Sequence, residues 1–138
     1  MLTLVCFRLV AAPLNPNYTK SEVLFYLQDT QSKLLVLPVG SLASNSAAVQ
    51  AAKEAQVPVV EIAFDRSACS ITLLDANGKP VRRAGMVRLP SADQTALFLH
   101  TSGTTGRPKC VPLSHSNLAR TMSNIIQTVS TLDSSRRR

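Results

Sequence analysis

The sequence has no tryptophan, and aromatic residues make up only 4% of its 138 positions. A core without large rings must be packed from aliphatic side chains, and a surface without them gives nucleobases little to stack on. Cysteine is nearly as scarce. Cys6, Cys69 and Cys110 are odd in number and widely spaced, with no C-x-x-C or zinc-ligand pattern, which argues against a disulfide framework and a structural metal site and fits reduced intracellular thiols. Acidic residues are few, 8 against 15 basic, giving a formal charge of +7. Apart from Arg82, Arg83 and Arg88 and the terminal Arg136, Arg137 and Arg138, the basic residues are dispersed. With so few aromatics, that pattern does not read as a nucleic-acid surface. A bilayer-spanning run is missing as well. Met1 to Ala12 is largely apolar but too short to cross a membrane. Arg8 interrupts this run, whereas a secretory signal carries its charge ahead of the apolar stretch, so the segment reads as a core element. There is no internal repeat and no linker that would divide the chain.

What is present is an alternation of short strands and helices in a chain long enough for one core. Val10 to Pro16 reads as a strand ending in a turn, with Pro16 blocking further ladder bonding. Thr19 and Glu22 have capping-box spacing, and Val23, Tyr26, Leu27 and Thr30 follow at helical intervals. Lys33–Leu37 is the next strand, closed by Pro38 and Gly40. Asn45 to Gln56 reads as a second helix, whose Ala48, Ala51, Ala52 and Ala55 make a smooth packing face. Val57–Phe64 is a third strand and Ser70–Leu74 a fourth, followed by a tight turn at Asp75–Lys79. Arg82 to Asp93 has no clear period and reads as a surface loop. The β–α–β–α–β order implies an α/β fold with a mostly parallel sheet and helices on its faces.

The most informative stretch begins with the buried-strand run Ala96–Leu99 and continues through Thr101-Ser-Gly-Thr-Thr-Gly-Arg-Pro-Lys109. Thr101, Ser102, Thr104 and Thr105 offer hydroxyls, Gly103 and Gly106 allow close approach of backbone amides, and Arg107 and Lys109 add positive charge. Clustered amides, hydroxyls and a cation suit a polyphosphate. The spacing excludes two familiar phosphate loops. Gly103 and Gly106 are three apart with Lys109 three beyond, so neither the G-x-x-x-x-G-K-[ST] loop nor the G-x-G-x-x-G fingerprint is present. Beyond the loop, Cys110–Leu113 reads as a returning strand and Ser114 as an N-cap. Leu118, Met122, Ile125, Ile126 and Val129 then give the spacing of an amphipathic helix. His100, at a strand end, reads as structural, and His115, at a helix start, as a surface residue. Ser102 and Ser114 lie in no G-x-S-x-G elbow, which argues against a serine hydrolase.

Thr101 to Lys109 resembles the signature loop of the adenylate-forming superfamily, which includes acyl-CoA synthetases, luciferases and peptide-synthetase adenylation domains. Ala11–Pro16 and Thr19–Lys33 are similar to the opening of that family's large N-terminal domain, and Pro108–Leu118 to the strand and helix start after its loop. The His100-Thr-Ser-Gly start and Val111-Pro-Leu113 look particularly like the oxalate–CoA ligase (peroxisomal CoA synthetase) branch. The resemblance implies an α/β fold: a partial N-terminal domain over residues 1–138 with a mostly parallel sheet, flanking helices and a strand–loop–strand phosphate-binding unit. It also implies that Thr101, Ser102, Gly103, Thr104, Thr105, Gly106 and Lys109 contact the phosphates of ATP. Arg107 has two readings, orienting the loop or standing in solvent. No residue of this chain is given a catalytic or metal-binding role. Cys110 departs from the glycine usual after the lysine, and its Cβ disfavours positive φ.

In such enzymes a carboxylate attacks the α-phosphate of ATP, Mg²⁺–pyrophosphate leaves, and coenzyme A displaces AMP. The resemblance therefore implies ATP, Mg²⁺ and coenzyme A as cofactors, with the coenzyme A site outside these residues. It implies a small carboxylic acid as substrate, no nucleic-acid partner, no membrane span, and a cytoplasmic or peroxisomal setting. The family's adenine, ribose and catalytic-lysine motifs are expected beyond residue 138. The expectation is thus a fragment of an AMP-forming acyl-CoA ligase, inactive alone. The alternative is a non-catalytic remnant that at most binds nucleotide or a partner protein.

Overall fold

The computed structural model describes residues 9–81, 89–101 and 108–136, with side chains through Ser130. It falls into two compact units, one formed by residues 14–85 and the other by residues 1–13 together with 86–138. The sequence carries no linker at that division because the second unit joins two segments distant in the chain. Ala11 pairs in parallel with Leu97, through Ala11 N–H to the Ala96 carbonyl at 3.0 Å and Phe98 N–H to the Ala11 carbonyl at 2.8 Å. Only this bridge remains of the strand expected within Val10–Pro16. Leu9 and Val10 are exposed and Ala11 is buried, while Met1–Arg8 and Cys6 within it lie outside the described residues.

The first unit opens with helix α1, Lys20–Asp29. Its Thr19/Glu22 capping box forms as the spacing predicts. The Glu22 carboxylate accepts the Thr19 N–H at 2.8 Å and the Thr19 hydroxyl at 2.7 Å, while the return bond from Glu22 N–H to the Thr19 hydroxyl is longer at 3.4 Å. The Thr19 hydroxyl, and then its N–H, hold the Glu22 carboxyl below its ordinary pKa. Val23, Tyr26 and Leu27 face inward, but Thr30 ends the stripe as C-cap, its hydroxyl donating to the Tyr26 carbonyl at 2.7 Å. Strand β1 (Leu35–Pro38) leads to helix α2 (Ala47–Glu54) and strand β2 (Val59–Asp65). β1 and β2 are parallel, with Leu37 opposite Glu61. Strand β3 (Ser70–Leu74) returns antiparallel, placing Phe64 opposite Ile71. The Asp75–Lys79 turn forms with Gly78 at φ 73°, a conformation that a Cβ would strain, and the Asp75 side chain accepts the N–H groups of Asn77 and Lys79 at 2.8 and 2.9 Å.

The core of this unit is Val23 and Leu27 of α1, Leu35 of β1, and Ala51 and Ala52 of α2. Ala51 and Ala52 are fully buried and Val49 almost so, with Ala48 and Ala55 packed around them. The alanine face is therefore wider than the sequence spacing implies, since small side chains let α2 bury a broad arc. A Lys20–Glu54 ion pair at 2.7 Å links α1 to α2. It is half exposed, so its contribution is at most about 1 kcal/mol. Glu61 is the buried acidic residue of the unit, and its carboxylate accepts the Leu42 N–H at 2.8 Å.

The second unit holds strands β4 (Thr95–Thr101) and β5 (Lys109–Ser114), paired antiparallel, and helix α3 (His115–Arg136). Its core is Ala11, Ala96 and Leu97 with Leu113 and Leu118 packed against them. The α/β class holds. The described pairings are mixed, with β1–β2 and the Ala11 bridge parallel and β2–β3 and β4–β5 antiparallel. Both antiparallel ladders join strands with no helix between them; β5 is the returning strand read from the sequence, whereas the alternation pattern did not reveal the β2–β3 pairing. No helix of the described residues is long and apolar enough to cross a membrane. Of the surface loop expected at Arg82–Asp93, the part from Arg82 to Arg88 lies outside the described residues, as do Arg137 and Arg138.

Two outcomes follow from this packing. Ala52→Leu, which has no space around its Cβ, is expected to lower stability by about 1–3 kcal/mol in urea unfolding, against little change for an exposed helix position. On α3, Met122, Ile125, Ile126 and Val129 are 53, 58, 63 and 60% exposed, so the 138-residue chain is expected to bind an apolar dye and to melt with low cooperativity. A sharp thermal transition of the monomer without dye binding would contradict this.

Candidate functional site: a strand–loop–strand hairpin

The loop predicted to hold phosphate is carried by the β4–β5 ladder. Thr101, the last residue of β4, lies directly opposite Lys109, the first residue of β5. In such a pair the Cα atoms stand about 5 Å apart, so β4 ends and β5 begins at one narrow mouth. Both Thr101 and Lys109 are exposed. Lys109 has no ion-pair partner among the described residues, which leaves its ammonium available to an anion. Ser102, Gly103, Thr104, Thr105 and Gly106, with Arg107, lie outside the described residues.

Strand alternation sorts the flanking side chains. Leu97/Leu113, Leu99/Val111 and Thr101/Lys109 are successive opposed pairs on one face. Leu97 is buried, Leu99 and Val111 are partly exposed, and Thr101 and Lys109 stand at the mouth. The face grades from core to charge within two pairs. His100 pairs with Cys110 on the opposite face, so the ladder directs the imidazole away from the Thr101/Lys109 side and supports its structural reading. Cys110 sits in extended β5 and is not among the residues with positive φ. The missing glycine therefore imposes no strain there.

The far end of the hairpin is tied down. The ladder register shifts between Thr95 and Leu97, making a bulge at the fully buried Ala96. Before β4, Gln94 Oε1 accepts the Ser91 N–H at 2.9 Å. The Ser91 hydroxyl, and then a backbone N–H, hold the Asp93 carboxyl below its ordinary pKa. The Gln94 and Ala92 carbonyls accept the His115 and Ser116 N–H groups at 3.0 and 2.8 Å. The Asn117 N–H goes to the Ser114 hydroxyl at 3.2 Å, so Ser114 is the N-cap predicted for it. The first three amides of α3 are thus occupied from within the protein. An anion at this hairpin must be held by the loop and Lys109, not by the helix N-terminus as in P-loop proteins. His115 corrects a sequence expectation. It is half buried, and its Nε2 is buried without a hydrogen-bond partner in the structure. Two neighbours from the pre-β4 turn cover the helix start, which no local pattern foretells.

A family model for AMP-binding enzymes matches residues 1–137. The chain belongs to the AMP-binding enzyme family. Among its relatives, the oxalate–CoA ligase of Arabidopsis thaliana is 40% identical over 124 residues, covering 90% of this chain and 24% of that protein. The oxalate–CoA ligase of Saccharomyces cerevisiae is 36% identical, over 86% of this chain and 25% of that protein. The chain therefore spans about a quarter of the length of the curated relatives it matches. Among solved structures, ATP-bound MatB from Rhodopseudomonas palustris superposes with a TM-score of 0.58 at 26% identity, over 86% of this chain and 22% of that one. The strand–loop–strand unit and the α/β architecture are those of this AMP-binding family.

Because Cys110 occupies a strand interior, Cys110→Gly is expected to loosen the ladder, lowering stability by roughly 0.5–1 kcal/mol. Amide exchange at the neighbouring Leu99/Val111 pair should quicken, and unchanged exchange would show that the hairpin tolerates the glycine without cost.

Proposed function

We propose that this chain is the phosphate-holding N-terminal part, residues 1–138, of an ATP-dependent, AMP-forming acid–CoA ligase, with oxalate as its acid. The observation that carries the reading is the Thr101/Lys109 pair closing the mouth of a loop rich in hydroxyls and glycines. The oxalate–CoA ligase relatives support the reaction class and the acid. In this reading Thr101, Ser102, Gly103, Thr104, Thr105, Gly106 and Lys109 hold the β- and γ-phosphates. Pyrophosphate leaves with several negative charges, and positioned amides, hydroxyls and an ammonium favour its departure more than they favour bound ATP. The residues present fit that task, since Lys109 is exposed at the mouth and bound to no carboxylate among the described residues. Mg²⁺ would supply further charge neutralisation on the same phosphates. Coenzyme A would be bound by residues outside this chain. The setting is cytoplasmic or peroxisomal, and the partner is a small carboxylic acid, not a nucleic acid.

The 138 residues alone are expected to release no AMP from ATP, oxalate and coenzyme A, because they lack the adenine, ribose and catalytic-lysine motifs of the family. A chimera in which this chain replaces the matching quarter of the Arabidopsis relative should release it. An inactive, folded chimera would favour the alternative reading, a non-catalytic remnant that binds nucleotide or a partner protein.

The loop holds no apolar side chain able to sense an acyl group, so its contribution is to leaving-group departure and not to substrate choice. In the active chimera, Thr104→Ala or Lys109→Ala should each cost on the order of 3 kcal/mol in the transition state, about a hundredfold in rate, for every acid tested. The ranking of acids by kcat/KM should stay as it was. A mutant that reordered the acids and left the ATP dependence untouched would move the loop into the acyl pocket.

A further inference from the structure

The end of the hairpin remote from the loop is closed by a side chain with no place in the phosphate-binding signature. Asn117 Oδ1 accepts the Ser114 N–H at 2.9 Å and the Ser114 hydroxyl at 2.8 Å. The Asn117 N–H returns a bond to the same hydroxyl at 3.2 Å, and the Ser116 hydroxyl lies 2.9 Å from it. A backbone N–H can only donate, so the group facing Ser114 is the amide oxygen. This is a capping box in which asparagine takes the place usually held by glutamate or glutamine. The shorter side chain keeps Ser114 close to the first turn of α3.

Ser114 is also the last residue of the β5 ladder, opposite Thr95 and adjoining the bulge at Ala96. Its N–H is given to Asn117, so β5 stops there and α3 begins. On the facing strand the bulge is held by the Ala96 carbonyl accepting the Ala11 N–H at 3.0 Å. One end of the ladder is thus fixed on both strands: β4 carries the bulge, and on the β5 side the asparagine clip sets the first turn of α3, whose His115 and Ser116 N–H groups bond the Gln94 and Ala92 carbonyls just before β4. Register is what the other end needs. A slip of one residue would remove Lys109 from its place opposite Thr101 and turn its side chain to the face that carries His100. From Ser114 to Lys109 the strand extends about 17 Å, at roughly 3.4 Å per residue, so the clip acts at a distance through a rigid ladder.

We infer that Asn117 is a positioning residue for the phosphate hairpin. By pinning Ser114 at the junction of β5 and α3, it holds Lys109 in register with Thr101. The inference rests on the phosphate-binding reading for its catalytic consequence, though not for its structural one.

Two measurements test it with the same pair of variants, Asn117→Leu, which keeps the bulk and loses the acceptor, and Asn117→Asp, which keeps the acceptor. In the 138-residue chain, amide exchange at Leu99 and Val111, both remote from Asn117, should quicken in Asn117→Leu and return towards the parent rate in Asn117→Asp. In the chimeric ligase, Asn117→Leu should lower kcat for adenylation by roughly tenfold or more, as expected when a catalytic group is misplaced. KM for the acid should stay unchanged, and Asn117→Asp should restore most of the rate. Unaltered exchange at Leu99 and Val111 in Asn117→Leu overturns the positioning role, as does an equal loss in Asn117→Asp. An unaltered kcat in an active Asn117→Leu chimera does so too. Quickened exchange beside an inactive parent chimera upholds the positioning role and instead counts against the proposed function.

Discussion

The register between β4 and β5 is the constraint on which the rest of the site depends. An antiparallel ladder offers equivalent hydrogen bonds in neighbouring registers, so something other than the ladder must select one. On β4 the selection comes from Ala96. It is fully buried and forms the bulge, and its carbonyl is held by Ala11 from the far end of the chain. A larger residue at position 96 would not fit that close approach, and without the Ala11 bond the bulge would have no fixed place. Leu97 and Leu113 then meet over Leu118 and set the apolar face. Thr101 and Lys109 follow two pairs further along the same face. The positive charge at the mouth is a consequence of where the core begins.

On the proposed reading, this arrangement holds phosphate differently from a loop that leads directly into a helix. In the latter, free amides at the helix N-terminus and the helix dipole attract the anion. In the present chain a strand separates loop from helix, and the first three amides of α3 are given to Gln94, Ala92 and Ser114. The helix start serves to anchor the hairpin. In that reading the donors for an anion are the loop's own amides and hydroxyls and Lys109, and the threonine, serine and glycine between positions 101 and 106 suit the task.

The residues 14–85 form a unit whose packing depends on small side chains. Ala51 and Ala52 have no exposed surface, and only residues of that size let α2 approach Val23, Leu27 and Leu35 closely. With aromatics scarce, this tight aliphatic contact takes the place of large rings. The exposed Met122, Ile125, Ile126 and Val129 on α3 are the opposite case, an amphipathic stripe that is legible in sequence and only covered at Leu118 among the described residues.

The sequence by itself determined the elements whose cause is local. The Thr19/Glu22 box, the Asp75–Gly78 turn, the alanine helix and the Ser114 cap follow from side chains bonding or packing within a few residues of themselves. The family was equally legible, because its signature is written in consecutive residues from Thr101 to Lys109. Tertiary structure alone decided the antiparallel sense of β2–β3, the reduction of the Val10 strand to a single bridge at Ala11, and the burial of His115 Nε2. It also decided that His100 faces away from Lys109 and that the chain divides into two units without a linker. The physical reason is common to all of these. Each depends on which distant segment supplies the partner for a backbone group or a covered surface, and a hydrophobic period records that a face is buried without recording what buries it.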